Sequence, residues 1–343
     1  MRRTTARPAL AAQGVVLAVL LLAPLWASTY WIGTLLTQTM ILGIVAASLV
    51  FLASYGGMVS LAQLAVYGIA GFALGNLTTN GNTKGLNLGW AIAPGVVVAI
   101  LIAIGFALLF GAISSRSFGI YFLMITLVFS VIANLTFGQV TNISGFGGIS
   151  GIPVPEGIRP QQHPERMYLV TVVVALLMYL LLRYAARTPF GLAIQGVRDD
   201  PVRMASLGYR VALHRMLAFG FAGFVAAVGG VLFVWWNGQI APSSIGLEAT
   251  IDILVIAVIG GLYRLEGAWL GALVFVLLNN YAQDVGFIGD RFHTLIGLVF
   301  LIIVLVSPEG LFGLGQRVIA GVTHQRRGGK QDETTPAELT PIA

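Results

Sequence analysis

The chain has 343 residues, of which 57% are hydrophobic and only 9% charged; an average soluble domain carries about 25% charged residues, so a water-facing globule is excluded. Its net charge of +6 rests on 19 Lys and Arg, and in so apolar a chain these read as topology-setting cations at a membrane surface and not as a nucleic-acid footprint. It has no cysteine, which removes disulfides, zinc–thiolate centres and cysteine nucleophiles.

A helix needs about 20 apolar residues to cross the hydrocarbon of a bilayer. Ten stretches approach that: 9–27, 31–53, 58–76, 88–113, 118–138, 167–185, 214–236, 250–262, 267–283 and 292–307. The first follows Arg2, Arg3 and Arg7 as a signal peptide would, but its length and the immediate onset of the second favour a retained span. The eighth and ninth are short and closely spaced, so a re-entrant pair competes with two crossings. The expected fold is an all-α polytopic membrane protein of about ten embedded helices. A basic tail (1–8) precedes one transmembrane domain (9–316), and a polar tail (317–343) is expected to be disordered.

Orientation follows from the positive-inside rule. With the N-terminus inside, the cytoplasmic side takes Arg2, Arg3, Arg7, Arg116, Arg183, Arg187, Arg198, Arg203, Arg210, Arg215, Arg264, Arg317, Arg326, Arg327 and Lys330. Lys84, Arg159, Arg166 and Arg291 remain outside. Both termini are therefore expected in the cytoplasm of a plasma (inner) membrane protein.

Polar residues inside the spans are the first functional candidates. Ser60, Gln63 and Tyr67 fall at helical spacing on the third stretch, and Tyr121, Thr126, Ser130 and Asn134 form a stripe on the fifth. Either stripe can line a route for a polar solute, although interhelical hydrogen bonds, worth about 0.6–2 kcal/mol each, are the plainer role for any single member. Six glycines in 138–157 suggest phosphate binding only superficially, because no lysine ends the loop and it is expected outside the cell; a flexible connection or a surface receiving a partner outside fits better. Asp252 lies near the outer end of the eighth stretch. A carboxylate at mid-membrane costs about 2.5–3.5 kcal/mol on insertion scales, so it is a candidate for the pathway or gate. Gly71 with Gly75, and Gly267 with Gly271, are small-residue packing contacts.

The loop 186–213 is a polar island in this apolar chain. Asp200 is a good N-cap, Pro201 suits the first helical position and Gly208 suits a left-handed stop, so a helix of under two turns is expected between them. The bland alternative is a solvated loop whose arginines only set topology. His163, His214, His293 and His324 are too scattered for a metal site, and no nucleophile–base pair marks an intramembrane hydrolase.

GLAIQGVRDD (191–200), ASLG (205–208) and LAF (217–219) together resemble the cytoplasmic loop of the LivH/LivM permease family, the membrane subunits of ABC importers for branched-chain amino acids. GGMVSLAQLAVYGIAG (56–71), YFLMITL (121–127) leading to GGISGIP (147–153), IDILVIAVIGG (251–261) and SPEGLF (307–312) are similar to further motifs of that family. The likeness runs in order over roughly 48–313, and the 147–153 block looks more like the LivM type. Ala268, where the family usually has proline, and Pro201, in place of a helix former, depart from the pattern.

The resemblance implies an ABC importer permease fold with no covalent chemistry of its own. It implies a homologous LivH-type permease, two cytoplasmic ABC ATPases, an extracytoplasmic binding protein and the lipid bilayer as partners, with no nucleic acid. It marks Gly191, Arg198, Asp199, Asp200, Pro201, Arg203, Leu207 and Gly208 as the ATPase-docking element. No G-x-x-x-x-G-K-[ST] loop occurs, so no cofactor is expected here and ATP would be hydrolysed by the partners. Permeases of the same architecture for urea, amides or small carboxylates are the neighbouring reading. An ion-coupled secondary transporter is a more distant one, for which only Asp252 offers an ion site.

Overall fold

The computed structural model describes residues 28–80 and 85–282, with Pro24 and six isolated positions between 297 and 311. All but Pro24 of the first expected span, most of the tenth, and the two tails lie outside the described residues.

Helix α1 (Trp31–Gly56) begins with a π-wound segment, Trp31–Leu36, and continues as an α-helix to the left-handed Gly57 (φ 63°). Its most apolar stretch is 83% buried, as expected of a helix hydrophobic on every side. Helix α2 (Gln63–Thr78) is buried over almost its whole length. Three longer helices, α3 (Ile92–Ser114), α4 (Gly119–Gln139) and α5 (Pro164–Ala185), bury only 28%, 22% and 33% of theirs. Two short helices follow, α6 (Pro189–Asp199) and α7 (Pro201–Ser206), and then the long α8 (Val211–Asn237), 72% buried. The chain ends its described part in α9 (Leu247–Gly260) and α10 (Leu265–Ala282).

The burial pattern fixes the layers. α1, α2 and α8 form the centre, α3 packs on α2 and α8, α5 and α10 pack on α1, and α4 stands at the rim. Close approach at the centre needs small residues: a Cβ at Gly230 of α8 would run into the Tyr67 carbonyl of α2. A two-residue antiparallel pair, β1 (Ile149–Ser150) with β2 (Gln239–Ile240), ties the glycine-rich loop to the end of α8.

Among the described residues five helices are long and apolar enough to cross a membrane, or six if α9 and α10 make one broken span. Three expected stretches are modified. The third stretch, 58–76, is helical only from Gln63, and 16 residues at about 1.5 Å each reach short of the hydrocarbon thickness. Residues 58–62 are non-helical, yet all but the half-buried Val59 are buried, which apolar surroundings permit only if the backbone is satisfied. Leu61 N–H donates to Thr126 Oγ1 (3.1 Å) and Ala62 N–H to Ser60 Oγ (3.3 Å). The eighth and ninth stretches form a pair bent by 118°, made possible by backbone contact between Gly260 and Gly267.

One end of the bundle collects the C-termini of α1, α3 and α5, the helices α6 and α7, and the α9–α10 turn. Arg116, Arg183, Arg187, Arg198, Arg203, Arg210, Arg215 and Arg264 all lie there, while Arg159 and Arg166 lie beside the start of α5 at the opposite end.

Candidate functional site

The arginine-rich end is built from the end of α5 upward. Thr188 caps α6: its hydroxyl accepts from Gly191 N–H (3.3 Å) while donating to the Ala185 carbonyl (2.7 Å), and Pro189 takes the first helical position. A Cβ at Gly191 would collide with the Ala185 carbonyl, so glycine is what lets α6 fold back on α5. Gln195 Nε2 clamps the same corner by donating to the carbonyls of Ala186 (2.9 Å) and Gly191 (3.1 Å). Ala193, Ile194 and Val197 form the buried stripe of α6.

Arg198, one turn after Ile194, lies on the bundle-facing side of that helix and reaches α1. Its guanidinium donates to the Ser54 carbonyl in the last turn of α1 and pairs with Asp199 (2.7 Å). A cation there complements the negative end of the helix dipole. Gly57 makes room, because a Cβ at that position would sit 2.6 Å from Arg198 Cγ.

Helix α7 has the expected ends. Asp200 accepts from Arg203 N–H (2.9 Å), Pro201 follows, and Gly208 takes φ 89°. Gly208 N–H donates to Ala205 O (3.0 Å) and Tyr209 N–H to Met204 O (3.1 Å), the paired bonds of a Schellman stop. Met204 turns inward onto Gly196, leaving Val202 75% and Leu207 66% exposed beside an exposed Arg203. The eight expected docking residues are thus contiguous but divided. Gly191, Arg198 and Asp199 fix the element to the bundle, Asp200, Pro201 and Gly208 shape α7, and Arg203 and Leu207 face outward.

An open cleft of about 850 Å³ separates α6 from the α9–α10 turn, with Tyr55, Arg187, Gln195 and Tyr263 on its walls. At its edge Tyr179 donates to Glu266 (2.7 Å) and accepts from Arg183 (2.8 Å).

Most of the expected pathway residues lie inside the bundle. Ser60, Gln63, Tyr67 and Thr126 are all buried, at 0–2% exposure. Gln63 accepts from Ser48 Oγ (3.4 Å), and Tyr67 packs against Phe233. Thr126, Ser130 and Asn134 do share one face of α4: Ser130 bonds Thr250 of α9 (2.8 Å), and Asn134 donates to Pro242 O (2.7 Å). Tyr121 is not on that face; it is 71% exposed on the outer side of α4. Asp252 is half-buried, two residues beyond Thr250. Thr250 meets Ser130 near the middle of α4, and Asp252 follows it within the first half of α9.

Sequence reasoning passed over Arg215, counted only as a topology charge. It is 4% exposed inside α8. Its Nη1 donates to Ser115 O (2.7 Å), its Nε to Met58 Sδ (3.1 Å), and its guanidinium lies 4.2 Å from the Phe118 ring and 5.3 Å from that of Phe122. The signal was present: Arg215 is the second residue of the stretch 214–236, and a cation inside an apolar stretch is a functional candidate.

Residues 31–305 match the family described as branched-chain amino acid transport system, permease component. The high-affinity branched-chain amino acid permease protein LivM of Escherichia coli is 25% identical over 86% of this chain and 74% of its own length. LivH of the same organism is 25% identical over 75% of this chain and 86% of its length. BraD of Pseudomonas aeruginosa is 32% identical over 42% of this chain and 47% of its length. No solved structure gives a significant match. With the family match covering most of a bundle of long apolar helices, the chain is a multi-pass membrane protein and belongs to the branched-chain amino acid transport permease family.

Proposed function

We propose that this chain is the LivM-type permease subunit of an ATP-driven importer, forming half of the pathway for branched-chain or related amino acids. The observation that carries the reading is the α6–α7 element, anchored to α1 through Arg198 yet presenting Val202, Arg203 and Leu207 to the outside. A small rigid patch of apolar and basic side chains beyond the bundle suits a protein partner. The partners are a LivH-type permease, two cytoplasmic ATPases docking on α6–α7, and an extracytoplasmic binding protein that delivers the solute. The chain lies in the plasma (inner) membrane with the arginine-rich end and both termini in the cytoplasm, and its ten embedded helices include α9–α10 as a broken pair.

Closure of the ATPases moves α6–α7, and the membrane halves rock between two packings. The seam closed by Ser130–Thr250 and Asn134–Pro242 is the part that opens. Ser60, Gln63, Tyr67 and Thr126 line the route in the open state, with Asp252 beside it. No ATP or other cofactor is held by this chain.

Reconstitution tests the reading. Proteoliposomes carrying all subunits, with ATP on the ATPase side and binding protein on the other, are expected to accumulate a branched-chain amino acid. Accumulation by this chain alone, driven by an ion gradient, would overturn it.

A further inference from the structure

Arg215 is costly as a mere packing residue. A buried cation is tolerated when it is paired and fully hydrogen-bonded, and among the described residues no carboxylate pairs with it. Its charge is met by the carbonyl that ends α3, by two aromatic faces and by a thioether. Those groups come from separate elements. Ser115 is the C-cap of α3, Phe118 the N-cap of α4, Phe122 lies in the first turn of α4, and Met58 stands in the α1–α2 connection. Arg215 itself lies one turn into α8, the helix that follows the Gly208 stop of α7.

The α3–α4 corner that it grips is short and begins α4 at Gly119, whose φ is 57° and whose surroundings are open. α4 is the least buried of the long helices. Side-chain hydrogen bonds through Thr126, Ser130 and Asn134 join its inner face to its neighbours, and such bonds exchange more readily than an interlocked core.

We infer that Arg215 is a positioning residue that carries the movement of α6–α7 into the α3–α4 corner, so that α4 is the span the docking element displaces. The inference rests on the importer reading, and it adds the route by which force leaves the docking site. Arg198 pulls on the end of α1, whereas Arg215 pulls on the start of α4.

The test uses the complete transporter in proteoliposomes, with ATP hydrolysis and solute uptake measured in parallel. Arg215→Gln is expected to retain assembly and ATP hydrolysis while uptake per ATP falls at least tenfold. Arg215→Lys, which keeps a cation over the rings, is expected to recover a substantial part of that ratio. The native chain lacks cysteine, so spin labels at Ile120→Cys on α4 and Leu213→Cys on α8 report the corner directly. Their distance distribution is expected to be narrow in the parent and broad in Arg215→Gln. An unchanged ratio in Arg215→Gln, or equal collapse of hydrolysis and uptake in both variants, overturns the inference. Absence of ATP-driven uptake in the parent complex would sink the importer reading instead, and an undisturbed label distance in Arg215→Gln would still overturn the positioning role of Arg215.

Discussion

Arg198 and Arg203 sit five residues apart in the same charged run, yet the first faces the bundle and the second faces outward. Residue type cannot separate them. The caps of α7 were legible because Asp200, Pro201 and Gly208 act on neighbours within six residues. The target of Arg198 was not, because Ser54 lies 144 positions away. A hydrogen bond from a charged donor is worth about 1.5–3 kcal/mol when shielded, and partial exposure of Arg198 reduces this. Arg198→Ala is therefore expected to destabilise the chain by about 1 kcal/mol and to lower its melting temperature in detergent by a few degrees. An unaltered melt would show that the contact contributes little. Asp200→Ala removes the cap of α7, a loss of about 1 kcal/mol, and is expected to weaken co-purification of the ATPases while leaving that melt nearly unchanged.

At the scale of elements, α6 was missed although Thr188–Pro189 carries the same start signal as Asp200–Pro201. The charges at its C-terminal end, Arg198 and Asp199, drew attention from the stripe Ala193, Ile194 and Val197. The third stretch failed for the opposite reason. Its apolarity is continuous, so hydropathy cannot see that residues 58–62 are unwound; that depends on Thr126 of another helix. The bend between α9 and α10 was open as an alternative because both stretches are short, but its cause is the backbone contact of Gly260 with Gly267. Gly267→Leu is expected to cost about 1–3 kcal/mol by overpacking, read as a lower melting temperature. Gly105→Leu, with open space around its Cβ position, serves as the control expected to melt like the parent. For α7, the pair Val202→Glu and Leu207→Glu changes only exposed positions. It is expected to abolish ATPase co-purification without disturbing membrane insertion, and retained binding would move the docking surface elsewhere.

Across the whole molecule, the arginine bias read from the sequence corresponds to one physical end of the bundle among the described residues. A summed charge count survives errors in any single span, which explains why the gathering of arginines at one end was legible when the number of crossings was not. Introduced cysteines test the absolute direction. Ser206→Cys on α7 is expected to react with a membrane-impermeant maleimide only in inside-out vesicles, and Gly157→Cys, beyond β1, only in right-side-out ones. The reverse pattern would invert the topology.

The unwound connection before α2 also bears on biogenesis. Its amide at Leu61 finds its acceptor on a residue synthesised 65 positions later, so the nascent second helix leaves the translocon with a polar backbone group that lipid cannot satisfy. The ribosome must deliver α4 before that segment can settle in the bilayer. Until then its safest shelter is the protein-lined wall of the insertion channel.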